Sequence, residues 1–214
     1  MTNAARLPQP ENNTSPACTT VHKDIRMQSQ NKNPWKLVSS EPIYENQWIS
    51  VREDKVINPA GGNGIYGVVH FRSIAVGVIP LDHDLNTWIV GQYRYPLETY
   101  SWEIPMGGAS FTDGPLAGGK RELQEETGLS ADHWHELMKI HTSNSVTDEC
   151  GYVYVATGLT QGDWAPEDTE DLVVKKIPLS TACEMTLDNR ITDAISVAGI
   201  LRLQMALANG EITP

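Results

Sequence analysis

Three glutamates, Glu122, Glu125 and Glu126, stand at i, i+3 and i+4 in the segment Arg121-Glu122-Leu123-Gln124-Glu125-Glu126-Thr127-Gly128-Leu129. On a helix they share one face, one above the other. Like charges at that spacing repel by roughly a few tenths of a kcal/mol per pair. A divalent cation turns that repulsion into a binding site, because hard cations take carboxylate oxygens. The helix has clear punctuation: Pro115 suits the first helical position and Gly128 suits the residue just past the end. Gly118 and Gly119 inside it cost about 1 kcal/mol each relative to alanine, which predicts an irregular first turn. A plain solvated charged face is the other reading of these side chains. The preceding Pro105-Met106-Gly107-Gly108 and the closing Thr127-Gly128-Leu129 speak against it.

The rest of the chain surrounds this helix with strands. Residues 1–33 are rich in Asn, Gln, Thr, Ser and Pro and show no apolar period, so a disordered tail is expected there. Met27 could serve as an alternative start. From Trp48 to Ile57 the pattern alternates, which predicts a strand. A turn cluster follows from Asn58 to Gly64. Further strands are expected at Ile65–Phe71, Ser73–Leu81, Thr87–Tyr93 and Ser101–Ile104, then at Trp134–His141, Tyr152–Ala156 and Leu172–Ile177. Asp193–Ala208 reads as an amphipathic helix with Gly210 behind it. Strands in runs, with helices only after 115 and 193, predict an α+β fold and not a doubly wound parallel one.

The stretch 107–129 resembles the Nudix box, Gly-x5-Glu-x7-Arg-Glu-U-x-Glu-Glu-x-Gly-U, where U is a bulky aliphatic residue. Every fixed position matches except one, where Asp113 replaces Glu. The resemblance implies the Nudix fold, an α/β/α sandwich with a mixed β-sheet between helices and an N-terminal β-strand extension. The domain would span 34–214, with strands at about 34–71. It also implies one to three Mg²⁺ or Mn²⁺ ions that hold a diphosphate and assist attack by water. Glu122 and Glu126 would then be metal ligands, as would the Met106 carbonyl. Glu125 would be a third ligand or would pair with Arg121, and both are candidate catalytic residues. Gly107 would let the backbone approach closely. Asp113 would support the loop or reach metal through water, or serve simply as a turn residue before Gly114-Pro115.

The flanks narrow the branch. Gln92-Tyr93-Arg94-Tyr95-Pro96 followed by Ser101-Trp102-Glu103-Ile104-Pro105-Met106-Gly107-Gly108 looks like the ADP-ribose and ADP-sugar diphosphatase branch, with Met106 in place of the usual Ala. That resemblance gives Arg94 a substrate phosphate, a role suited to a bidentate guanidinium. Glu103 would pair with Arg94 or bind substrate. The branch takes its general base from a loop after the box. Here the loop is Ser143–Glu149, with Glu149 as the base and Asp148 as the alternative. Trp48 would stack on the base of the substrate across a homodimer interface, or would be a core or dimer contact. Branch members commonly dimerise through N-terminal strands, here about 43–71.

The implied reaction is hydrolysis of ADP-ribose, or a related nucleoside diphosphate sugar, to a nucleoside monophosphate and a sugar phosphate. Dinucleoside polyphosphates and oxidised nucleotides are other substrates of the family. A non-catalytic nucleotide sensor is a third reading, which the retained glutamates disfavour. The formal net charge of −11 over 214 residues argues against a nonspecific nucleic-acid binder. It does not exclude a phosphate-bearing ligand, because bound cations reverse the local sign. No apolar run is long enough for a membrane helix, and no signal-peptide pattern opens the chain. Cys18, Cys150 and Cys183 are odd in number and widely spaced, as expected for reduced thiols of a cytoplasmic protein. The Asn12 sequon is then a chance match. His133, His135 and His141 cluster, but no cysteine or carboxylate completes a zinc spacing.

Overall fold

A computed structural model describes residues 32–162 and 172–213. The tail expected over 1–33 lies outside the described residues apart from its last two positions, as do Cys18 and Met27. Three antiparallel strands come first: β1 (Lys36–Glu45), β2 (Ile49–Ile57) and β3 (Asn63–Phe71), in that order across one sheet. Next come β4 (Ile74–Pro80), β5 (Asn86–Arg94), a short 3₁₀ turn (Tyr95–Leu97), β6 (Thr99–Glu103) and β7 (Met106–Ala109). Helix α1 (Pro115–Thr127), β8 (Leu129–Ile140), β9 (Gly151–Gln161), β10 (Val173–Pro178), α2 (Leu179–Leu187) and α3 (Ala194–Ala208) complete the chain.

The central sheet has the order β7-β4-β9-β8. Its β4–β9 pair is parallel and its other pairs are antiparallel, so the sheet is mixed. β4 explains why it has a helix on each face. Its sequence is apolar almost throughout, as a strand buried on both sides requires. Val76 and Val78 point at α1, where a Cβ on Gly119 would touch both. Gly77 and Ile79 point the other way, toward Ile195 and Gly199 of α3. β9 alternates likewise: Val153 and Val155 join the α3 side, while Tyr154 and Ala156 join the α1 side. The result is an α+β sandwich, as the sequence predicts. Truncating a fully buried member such as Ile79 or Leu123 to alanine costs about 2–5 kcal/mol. A smaller sheet, β10-β5-β6, packs beside α2.

Several expectations need correction. The first turn of α1 is regular. Gly118 and Gly119 are buried against the sheet, and a Cβ on Gly118 would lie 2.4 Å from Ala109 Cβ. The two glycines serve close helix–sheet contact, not local irregularity. α2 was not expected. Its buried positions, Leu179, Ala182, Met185 and Thr186, follow a helical period, but the element is short and begins directly from a strand. β7 is a paired strand where the sequence reading assigns none, and β8 starts five residues earlier than Trp134.

β1 is exposed along its whole length, with Leu37, Ile43 and Tyr44 more than half exposed. Hydrogen bonds from the N-terminal sheet to the body converge on residues 145–148. No described helix is long and apolar enough to cross a membrane.

Candidate active site

The box glutamates are not a solvated face. Glu122 and Glu126 are 7% and 1% exposed, and Glu125 is partly buried. Helix α1 holds the first two against the β7 backbone. Glu126 Oε2 accepts a hydrogen bond from the Met106 N–H at 2.8 Å. The Glu122 carboxylate lies so close to Gly107 that any Cβ there would collide with it. Only glycine at this position leaves the Glu122 carboxylate where it is. The turn before β7 is held from three sides. Ile104 N–H donates to Ser196 Oγ at 3.0 Å, Val78 N–H donates to the Pro105 carbonyl at 2.8 Å, and Met106 is held by Glu126.

Two carboxylates buried one turn apart need compensating charge. Arg121 supplies part of it. Its guanidinium pairs with both Glu122 and Glu125 and donates to the Gly108 carbonyl at 2.7 Å. Burial alone would lower the Arg121 pKa, but the charges of Glu122 and Glu125 outweigh it and raise it. Arg94 is fixed on β5 by a two-pronged pair with the buried Glu103, one prong at 2.9 Å. The hydrogen bonds to Glu103 raise the Arg94 pKa against the effect of burial, and the charges of Asp193 and Glu126 add to the rise. Gln92, Arg94, Met106, Gly107, Arg121 and Glu122 line one cleft of about 320 Å³.

The donors fit a hard cation by type and place: buried carboxylates, a glycine cradle and an adjacent backbone turn. Among the described residues, no three His, Cys, Asp or Glu side chains already surround a common point. Arg121 occupies part of the carboxylate cluster instead.

The other expected residues are placed as follows. Ala75 of β4 pairs with Gly108 on one side and Gly151 on the other. At about 4.8 Å per strand, the end of the 142–150 loop lies roughly 10 Å from the box loop. Glu149 is partly buried on that loop and accepts a hydrogen bond from Thr142 Oγ1; it does not line the cleft. Asp148 turns away and pairs with His70. Trp48 is 66% exposed in the bend just before β2, so it is not a core residue, and it does not line the cleft. Asp113 is exposed in the turn before α1, and His133 and His135 are exposed on β8. Sequence reasoning missed Ser196, which lies 92 residues from the Ile104 N–H it supports. It also missed His70. No local pattern announces either contact.

Two family models match the chain: a nucleoside diphosphate sugar hydrolase N-terminal domain over residues 35–69, and a NUDIX domain over residues 71–193. An ADP-ribose pyrophosphatase of Mycobacterium tuberculosis is 30% identical over 187 residues, covering 86% of this chain and 89% of the relative. A methanol dehydrogenase activator of Bacillus methanolicus is 31% identical over 172 residues, covering 79% of this chain and 92% of the relative. A solved structure described as an ADP compounds hydrolase shares the fold, with a TM-score of 0.74 at 18% identity over 83% of this chain and 97% of that one. With the NUDIX domain model covering more than half of its residues and a relative aligned along most of its length, this chain belongs to the Nudix family and is a Nudix pyrophosphatase.

Proposed function

We propose that the protein hydrolyses the diphosphate bond of ADP-ribose or a related nucleoside diphosphate sugar, giving AMP and ribose 5-phosphate from ADP-ribose. The observation that carries this reading is the cleft itself. Two buried glutamates of α1 and two arginines of different elements meet around the Met106–Gly107 backbone. Support for the substrate class comes from the relatives, among them ADP-ribose pyrophosphatases of Mycobacterium tuberculosis and Bacillus subtilis.

Glu122 and Glu126, with Glu125 and the Met106 carbonyl, would hold Mg²⁺ or Mn²⁺. A divalent cation there supplies charge neutralisation and Lewis-acid polarisation of the diphosphate. Arg94 binds a phosphate oxygen, and Glu103 fixes the guanidinium so that little side-chain freedom is lost on binding. Arg121 keeps Glu122 and Glu125 in place from the cleft wall. Glu149 takes a proton from the attacking water as the new phosphorus–oxygen bond forms and the bridging phosphorus–oxygen bond breaks. To do so, it exchanges its Thr142 partner for that water.

The cleft is at the small end of the range for ligand sites, so the diphosphate fills it and the base extends beyond it. A homodimer formed through the N-terminal sheet would cover the exposed Leu37, Ile43 and Tyr44, and would bring Trp48 of a second copy to that base. A reducing, cytoplasmic location suits the free thiols of Cys150 and Cys183.

The test is a panel of nucleoside diphosphate sugars, dinucleoside polyphosphates and oxidised nucleotides with Mg²⁺, with products identified by mass. ADP-ribose is expected to yield AMP and ribose 5-phosphate at the highest kcat/KM. Binding without turnover across the panel would establish a sensor instead.

A further inference from the structure

We propose that His70, a residue of the N-terminal sheet, is a positioning residue for the reaction. Through Asp148 it latches the loop that presents Glu149. The inference rests on the reading of Glu149 as general base.

The loop between β8 and β9 is tied internally at its turn and around Glu149, whose carbonyl also lies 3.2 Å from His141 Nδ1. A turn is closed by Val146 N–H and Thr147 N–H, which donate to the Ser143 carbonyl at 3.1 and 3.0 Å. Everything else that fixes its outer side comes from β3. Val69 N–H donates to the Val146 carbonyl at 2.9 Å, and Asp148 N–H returns a bond to the Val69 carbonyl at 3.3 Å. The Tyr66 hydroxyl donates to the Ser145 carbonyl at 2.7 Å. Two donors then hold the Asp148 carboxylate. Phe71 N–H reaches Oδ1 at 3.2 Å, and His70 Nδ1 lies 2.5 Å from Oδ2. An ionised carboxylate only accepts, so the histidine ring N–H is the donor.

With both oxygens engaged by β3, Asp148 is an anchor and is badly placed to be a base. Its neighbour faces elsewhere: Glu149 N–H donates to Thr147 Oγ1 at 3.1 Å, and its carboxylate meets Thr142 on the body side. One residue later, the Cys150 carbonyl accepts from Ala75 N–H at 3.0 Å, in the strand that also carries the box loop. Glu149 is therefore suspended between two fixed points, Asp148 on the N-terminal sheet and Cys150 on β4. The β4 point is pure backbone. The other adds to its backbone donors, Phe71 N–H and Asp148 N–H, one side-chain pair, His70–Asp148, each member nearly half exposed. Such a pair contributes little to global stability, yet it sets where the carboxylate of the next residue lies. A displacement of about 1 Å at a reacting group lowers the rate far more than it destabilises the fold.

The experiment compares His70→Ala, His70→Asn, Asp148→Asn and Glu149→Gln, alone and combined, on the full chain with ADP-ribose and Mg²⁺. His70→Ala is expected to lower kcat about tenfold with KM within about twofold, while the melting temperature stays within about 2 °C. His70→Asn keeps a donor and recovers at least about half of the rate. The His70→Ala and Asp148→Asn losses do not add, because they remove one contact. In the Glu149→Gln background, His70→Ala causes no further loss. Amide exchange over 143–148 quickens in His70→Ala. Unchanged kcat in His70→Ala, or a loss fully retained on top of Glu149→Gln, overturns the latch. Wild-type turnover in Glu149→Gln overturns the base assignment instead, and the two failures are read from different variants.

Discussion

Replacing Gly107 by alanine separates the site from its scaffold. A Cβ at that position would stand 2.1 Å from Glu122 Oε1, 2.2 Å from its Cδ and 2.5 Å from Oε2. Since real Cβ atoms essentially never approach a neighbour within 3.0 Å, the carboxylate must retreat by about 0.9 Å. What retreats is the tip of a flexible side chain, so the backbone is left intact. The lost contact is offset in part by the stiffer unfolded chain of an alanine variant, a gain of about 0.4–1 kcal/mol where the native conformation is tolerated. Stability should therefore hold to within about 1 kcal/mol. Rate should not hold, because a misplacement of about 1 Å at a reacting centre costs about a hundredfold. The expected result is kcat reduced by about two orders of magnitude, a higher Mg²⁺ concentration for half-activation, and an unmoved thermal transition. Gly118→Ala is the counterpart. There the new Cβ meets Ala109 Cβ at 2.4 Å and Ala109 Cα at 2.9 Å. Backbone cannot swing aside, so the helix is forced off β7, at an overpacking cost of about 1–3 kcal/mol against a helix-propensity gain of about 1 kcal/mol. Thermal melts and Mg²⁺ titrations of turnover on the two variants decide the matter. A Gly107→Ala enzyme with wild-type rate and metal dependence would show that the seat of Glu122 against this glycine is irrelevant to the chemistry.

Other outcomes follow from the same geometry. Glu126→Gln keeps an acceptor for Met106 N–H and so should fold, but turnover should fall by at least about a hundredfold; a steady-state assay beside a thermal melt reads both. Chelation with EDTA should abolish turnover and added Mg²⁺ should restore it, whereas full activity after exhaustive chelation would remove the cation from the proposal. Ser196→Ala strips the acceptor from the buried Ile104 N–H, at a cost of about 1–3 kcal/mol, seen as a lowered melting temperature. Asp82 concerns the scaffold alone. Burial would raise its pKa, but hydrogen bonds from Lys176 and Asn86 carry it down from 3.8 to about 2. A depressed carboxylate contributes stability above its unfolded pKa and loses it as pH falls through the folded one. Asp82→Asn should therefore lose about 1 kcal/mol at neutral pH, after allowing for solvent screening of a half-exposed Lys176. It should also show a flatter decline between about pH 4 and 2 in acid-unfolding curves.

What could be read from the residues, and what could not, divides by range. Helix α1 was legible because Pro115, the glutamate spacing and Gly128 are local signals, and the helix runs from Pro115 to Thr127 as they indicate. β4 was legible from its apolar run. The pairing of Arg94 with Glu103 was open in the sequence; the β5–β6 hairpin sets Arg94 opposite Thr99 and Glu103 opposite Val90, and the two long side chains span the offset along the ladder. Contacts made between distant segments left no trace. Gly118 and Gly119 suggested an irregular first turn because the sheet surface they pack against, β7 for Gly118 and β4 for Gly119, could not be read from the helix itself. Ser196 and Ile104 touch only because α3 folds back across the sheet. Glu149 was preferred over Asp148 in the acidic loop by resemblance alone, and the bonds from β3 to Asp148 had no signal in the sequence.

The ladder on both edges of β4 has a consequence for how the enzyme can vary. The box loop is stitched to one side of this seven-residue strand and the Glu149 loop to the other. The root of each segment is fixed by a backbone ladder, so the box loop and the start of β9 share one ruler. Changes in substrate taste are then cheapest at the periphery, in the outer sheet and the connecting turns, while the ruler itself tolerates little revision.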